Sequence, residues 1–407
     1  MELFFQFSSL LLDWFDLLVR WTHIVVGVAW IGTSFYFNWL DSRLNREINN
    51  EETEGELWSI HAGGFYKINK LKGLPKKLPQ ELHWFKWEAY ATWISGFALL
   101  IIIYYFNTET LMINASTNNL SSSIAIMISL LFLLGSWFVY DLICKSPLRN
   151  HTVILSIVFF TLMIIASFAL TKIFNSRAAY IHIGACLGTI MAANVFRVII
   201  PSQKILVNAV LKNTVPDMKK SINAKIRSLH NNYITLPVLF IMVSSHYPFT
   251  YGHKYNWAIL AILSVIGVAI RHYFNLRNKK QQKAWILSAI TICTIALILY
   301  TTVPKAILNK KNSSMVSEDK ISFIEINHII KMRCAVCHAS NPTFEDVEWA
   351  PMGIIYDTPE DILNNIKKIK AQVIDSEIMP PGNITNITVE ERRKISLWIQ
   401  QGANISE

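Results

Sequence analysis

His151-Thr152-Val153-Ile154-Leu155-Ser156-Ile157-Val158-Phe159-Phe160-Thr161-Leu162-Met163-Ile164-Ile165-Ala166-Ser167-Phe168-Ala169-Leu170-Thr171 contains no Asp, Glu, Lys or Arg. Coiled as a helix, a stretch of this length crosses the roughly 30 Å hydrocarbon core of a bilayer. Seven more stretches share the property, near 17–40, 88–106, 122–143, 178–200, 233–249, 256–276 and 284–303. The one at 233–249 is interrupted by Pro237 and by Ser244-Ser245-His246. The whole chain of 407 residues is 52% hydrophobic and only 16% charged, which suits a polytopic membrane protein. Its 13 Trp and 14 Tyr suit the aromatic belts at bilayer interfaces.

The loops between these spans are unequal in charge. Loops 41–87, 144–150, 201–232 and 277–283 carry eight, two, six and four Lys/Arg, whereas 107–121, 172–177 and 247–256 carry none, two and one. Positive loops stay in the cytoplasm, so the first group is expected inside and both termini outside. The net charge of +10 is thereby explained without a nucleic-acid partner, because residues 321–407 hold eight Lys/Arg against twelve Asp/Glu. Residues 1–13 have no basic n-region or small-residue cleavage site, so the membrane helices themselves are expected to direct insertion.

Three of the five cysteines, Cys144, Cys186 and Cys293, sit alone in or beside apolar stretches and read as buried thiols. The other two form Lys331-Met332-Arg333-Cys334-Ala335-Val336-Cys337-His338. In C-x-x-C-H, two thiols on one helical turn can each add to a haem vinyl group, and the next residue, His338, can then ligate the iron. A thioredoxin-type pair would want a βαβ context, a zinc site a second pair of ligands, and a simple disulfide would have no need of His338. Chance is the remaining alternative. Against it stands Ile378-Met379-Pro380-Pro381-Gly382-Asn383, a loop suited to bring the Met379 thioether to the iron as sixth ligand, followed by the amphipathic stretch 389–401 with Leu397 and Trp398.

The expected fold is therefore all-α: a membrane bundle of about eight transmembrane helices over 1–304, a polar linker over 305–320 that includes Asn312-Ser313-Ser314, and an all-α cytochrome c domain with one covalent haem c over 321–407. Haem c is attached on the outer side of the bacterial membrane, so motif and loop charge agree on a periplasmic tail of an inner-membrane protein.

Ionisable residues within spans are functional candidates. His23, Gly27, Trp30 and Ser34 share one helical stripe, and His182 leads into Gly184-Ala185-Cys186-Leu187-Gly188. His23, His182 and His246 lie toward the outer side, and two imidazoles across a bundle could ligate a haem b. The other reading is that they bond helix backbones or line a cavity. His61, His83, His230 and His272 lie toward the inner side.

Several blocks resemble the membrane-bound, cytochrome-fused bacterial urate oxidases, or urate hydroxylases. They are Arg20-Trp21-Thr22-His23 through Ala29-Trp30-Ile31-Gly32-Thr33-Ser34-Phe35-Tyr36-Phe37, Glu56-Leu57-Trp58-Ser59-Ile60-His61-Ala62-Gly63-Gly64-Phe65-Tyr66, His83-Trp84-Phe85-Lys86-Trp87-Glu88, Gly188-Thr189-Ile190-Met191-Ala192-Ala193-Asn194-Val195-Phe196 and Arg227-Ser228-Leu229-His230-Asn231-Asn232-Tyr233. The resemblance covers essentially the whole chain. It implies oxidation of urate to 5-hydroxyisourate, with electrons leaving through the fused cytochrome to a soluble cytochrome c or a terminal oxidase instead of forming hydrogen peroxide. It carries over no catalytic residue.

Urate oxidation releases two electrons and one haem accepts one. A second store, or a urate radical, is then required. A planar anion wants Arg or Lys donors, an amide and an aromatic wall. Arg197 with Asn194, and Arg271 with His272 and Asn275, are the candidates, alongside the long loop 41–87. Each Arg could equally be snorkelling to the interface. Two other functions share this architecture: an electron-transfer subunit without an enzymatic role, and an oxidase of quinol or another small reductant.

Overall fold

The computed structural model describes residues 2–48, 51–114, 120–314, 320–344, 347 and 349–405, with the backbone alone for 2–10 and 304–314. Residues 115–119 of the loop 107–121, and 315–319 of the expected linker, lie outside the described residues.

The membrane part consists of α1 (Glu2–Arg43), α2 (Trp87–Leu100), α3 (Ser122–Lys145), α4 (Thr152–Ile173), α5 (Ser176–Asn194), α6 (Ile200–Leu211), α7 (Met218–Ser244), the single turn α8 (Pro248–Tyr251), α9 (Asn256–Asn278) and α10 (Trp285–Ser314). Helix α2 runs on through a π-helical turn, Ile101–Tyr105, and a second π turn, Val195–Ile199, joins α5 to α6. Among the described residues seven helical segments are long and apolar enough to cross a membrane, which fits a multi-pass membrane protein. The expected eighth, 233–249, differs. Its helix, α7, begins fifteen residues earlier at Met218 and stops at Ser244, and it is not among the seven. The reason is its position: α7 packs between α5 and α9 and buries Arg227, Asn231, Asn232 and Thr235 inside the bundle. A helix shielded by neighbours can carry polar groups that a lipid-facing one cannot.

The all-α reading needs one correction. Within 41–87, β1 (Thr53–His61) and β2 (Gly64–Leu71) form an antiparallel hairpin with Trp58 opposite Lys67 and Ile60 opposite Phe65. Ala62 and Gly63 turn it with φ of 48° and 79°, the left-handed pair that a two-residue turn between right-twisted strands requires. Lys70 holds Asp41 at 2.6 Å, and Lys225 at the start of α7 reaches the same carboxylate at 3.0 Å. The hairpin and the start of α7 therefore share one end of the bundle. Met112 accepts a bond from the Asn175 amide at 2.8 Å, which gathers 108–113 and 174–177 at the other end.

The tail meets that second end. It contains α11 (Phe323–Ile330), α12 (Pro359–Asn364), α13 (Ile366–Ile369) and α14 (Val389–Gln400) around a core of Phe323, Ile326, Ile330, Ile362, Ile395 and Trp398. Thr358 and Thr388 start α12 and α14 with reciprocal capping boxes to Asp361 and Glu391. Residues 381–383 touch 108–112, and 370–375 touch α8. Ile378 packs against the apolar core of the membrane bundle. Helix α10 continues through Ser314, so the first part of the expected linker is helical.

Candidate functional site

Two polar constellations and one cavity stand out from the apolar bundle. The first lies between α3, α5 and α7 near the hairpin end. Arg227, 1% exposed, donates through Nη2 to Asp141 at 2.6 Å and through Nη1 to Asn194 at 3.3 Å. The Asn194 amide donates to Tyr140 Oη at 3.2 Å and to Asn231 Oδ1 at 3.0 Å, and Tyr140 Oη meets His230 Nδ1 at 2.8 Å. The guanidinium also lies 4.8 Å from the Tyr140 ring centroid. Buried charges persist only when paired, and this pair is.

Asn194 thus belongs to a built network, but its expected partner Arg197 does not. Arg197 falls in the π turn after α5, is exposed and lies over Phe196. Arg227 occupies the role instead. A signal was present in the sequence: Arg227, His230 and Asn231 recur at three and four residues, one helical face.

The second constellation adjoins the first through consecutive residues, Asn231 and Asn232. Arg271, 5% exposed, donates from Nε to Asn232 Oδ1 at 2.8 Å, and Asn275 Nδ2 donates to the same oxygen at 3.1 Å. The Arg271 guanidinium sits 3.7 Å from the Phe35 ring centroid. Four buried atoms here and nearby on α1 have no hydrogen-bond partner among the described residues: the donors Arg271 Nη2 and Asn232 Nδ2, and the acceptors Asn275 Oδ1 and Asn38 Oδ1, the last one turn beyond Phe35. His272 is not part of this group. It is exposed, and its Nδ1 meets Tyr233 Oη at 2.8 Å.

The third is a half-open cavity of about 280 Å³ between α1, α2, α5 and α7, largely apolar, with His23 and His246 in its lining. His23 Nδ1 lies 3.0 Å from the Thr92 carbonyl oxygen and 3.0 Å from Ser95 Oγ. A carbonyl only accepts, so Nδ1 carries the proton and Nε2 keeps its lone pair. His182 is elsewhere and differently employed. It is wholly buried, donates from Nδ1 to Ala178 O at 2.7 Å, and accepts at Nε2 from Ser129 Oγ at 2.8 Å. Both of its ring nitrogens are used.

In the tail, Cys334 and Cys337 are free thiols, Cys334 packed against the tail core. Burial pushes the Cys334 thiol up to about 12 and the Cys337 thiol upward too. The His338 amide bonds Cys334 O at 2.9 Å, so the cysteines and histidine lie on one turn. His338 Nδ1 donates to Ile354 O at 2.9 Å, and burial holds this imidazole below the usual histidine range. Met379 packs against the same core as Cys334, its amide bonded to Gln372 O at 3.1 Å.

A helical bundle with seven segments long and apolar enough to cross a membrane, and with buried Arg–Asn networks between its helices, fits the class of multi-pass membrane proteins. The chain belongs to the family described as urate oxidase N-terminal, whose model matches residues 9–302, and this membership points to a urate-related oxidoreductase. Comparison with curated proteins and with solved structures gives no match.

Proposed function

We propose that the membrane bundle oxidises urate to 5-hydroxyisourate and that the electrons leave through a haem c carried by the tail. The reaction is balanced as urate plus water giving 5-hydroxyisourate, two protons and two electrons. The observation that carries this reading is the seat of the tail: the loop bearing Met379 rests on the bundle, with Ile378 in contact with its apolar core. An electron carrier in that loop is next to the membrane domain without any encounter.

The tail's residues fit such a group. Cys334 and Cys337 supply two sulfurs on one turn, and the bond from His338 Nδ1 to Ile354 O fixes the ring and leaves Nε2 available, as metal-binding imidazoles require. Bound there, haem supplies one-electron chemistry at a potential raised by Met/His ligation. Met379 stands in the same core and is the sixth-ligand candidate.

For urate, the Arg271–Asn232–Asn275 group offers what a planar purine anion needs. Its unpartnered atoms mix donors and acceptors, matching a ring edge that alternates N–H and C=O, and Phe35 supplies an aromatic face. The excess of Lys/Arg in the loops on the hairpin side supports placing that end in the cytoplasm and the tail in the periplasm of an inner-membrane protein. There a soluble cytochrome c or a terminal oxidase collects the electrons.

The test is anaerobic addition of urate to the purified full-length protein. Urate should reduce the haem, and an artificial acceptor should sustain turnover. Stoichiometric hydrogen peroxide under air, with full activity after loss of Cys334 and Cys337, would leave the tail incidental.

A further inference from the structure

We propose that the cavity between α1, α2, α5 and α7 binds a second, non-covalent iron porphyrin of the haem b class, ligated by Nε2 of His23 and by His246. The site stands on the cavity itself and does not depend on the identity of the substrate.

His23 is prepared as a ligand. Its proton is fixed on Nδ1 by Thr92 O, so the nitrogen left over is an unprotonated donor. Its ring has room only because residue 96 is glycine: a Cβ there would stand 2.9 Å from His23 Cε1. His246, just past the end of α7, lines the same cavity, and its ring makes no hydrogen bond among the described residues. Two imidazoles from different elements, each with an uncommitted nitrogen, are the ligand set of a six-coordinate haem.

The walls suit a flat, apolar body. Gly27 and Gly188 lie in the lining, and a Cβ on Gly188 would find nothing within 4 Å. Trp93 and Phe97 also line the cavity, their rings stacked at 5.5 Å and 3°. At one end stand Arg177, whose Nε is buried with no hydrogen-bond partner among the described residues, and Arg20, which already holds Asp16 at 2.7 Å. A porphyrin has apolar faces and concentrates its two carboxylates at one edge, which the Arg177 guanidinium matches. Urate carries polar groups all round its rim and would leave most of them unpaired here. The half-open side gives the macrocycle an edge-on entry.

The position also answers the electron count. Arg177 and His246 border the end of the bundle on which the tail sits, so a group in this cavity lies toward Met379's loop. Bound there, the group would supply a second one-electron centre beside that of the tail, so the two electrons released by one substrate would each have an acceptor.

The experiment is pyridine haemochrome spectroscopy of the full-length protein purified from membranes, with acid–acetone extraction to separate covalent from non-covalent haem. Equal amounts of b- and c-type haem are expected. His23→Ala and His246→Ala should each lower the b-to-c ratio from one toward zero while the c-type signal persists. Gly188→Phe, which fills the space with its ring and leaves both histidines in place, should do the same. A folded wild-type protein with only c-type haem overturns the proposal, and so does an unchanged ratio in all three variants.

Discussion

Gly252 lies so close beneath Ser376 that a Cβ on it would stand 2.6 Å from the Ser376 Cβ and 2.7 Å from the Ser376 carbonyl oxygen. This contact joins the end of α8 in the membrane bundle to the tail, three residues before Met379. Only glycine permits it. Gly252→Leu should lift the tail at this point, leaving its haem content unchanged and slowing reduction of that haem by substrate at least several-fold in stopped-flow traces. Unaltered rates would show that the seat is not the route.

Covalent attachment makes a simple claim about Cys334 and Cys337. After denaturing electrophoresis the wild-type band should keep haem stain, and the double change to Ala should remove it. Persisting stain would assign the attachment elsewhere.

Met379→Ala replaces a thioether by water or a weaker ligand. The reduction potential should fall and the sulfur-to-iron charge-transfer absorption should vanish, since Met/His ligation sets both. The spectrum of the oxidised protein reads this directly, and a spectrum identical to wild type would point to a different sixth ligand.

Arg227 and Asp141 form a buried ion pair at 2.6 Å, with Lys145 on the second Asp141 oxygen at 2.6 Å. Removing Asp141 strands the Arg227 charge, so Asp141→Asn should cost about 3–5 kcal/mol, whereas Arg227→Met leaves Asp141 paired with Lys145 and should cost less. The pair replaced together should cost less than the sum of the two, a coupling that a double-mutant cycle on detergent-solubilised protein measures. Strict additivity would mean the two groups do not act as a pair.

Arg271 and Arg197 were equal candidates by composition and are opposite in placement. Arg271→Gln deletes a charge-assisted donor worth about 1.5–3 kcal/mol, so kcat/KM for urate should fall roughly 10- to 100-fold. Arg197→Gln, at an exposed position, should leave it within about twofold. Equal effects from both would remove the Arg271 group as the substrate site.

Most of the bundle was legible because a helix facing lipid has to be apolar throughout, and sequence shows that without reference to neighbours. Helix α7 was legible only from residue 233 onward. Its first half is polar for a reason no window of hydropathy contains, namely that α3, α5 and α9 supply partners for Arg227, Asn231 and Asn232. The hairpin at 53–71 escaped because its pattern sits within a loop whose length drew the attention, although Ala62-Gly63-Gly64 marks the turn. Asn194 and Arg271 could be singled out as polar residues at span ends. That Arg197 and His272 turn outward follows from the π turn at Val195–Ile199 and from the roughly 100° that separates neighbouring positions on α9. The histidines needed three dimensions altogether, since His23 and His182 differ only in what surrounds them.

If the tail carries the proposed haem, its seating on α8 also sets the reaction order. An electron acceptor tethered and docked in this way is present at an effective concentration of about millimolar or more, however scarce the protein itself is. Its reduction is then a first-order event within one molecule. Dilution would leave that step untouched and slow only the later handover to a freely diffusing partner, so a chain fused in this way would keep its internal turnover at abundances where two separate proteins would seldom meet.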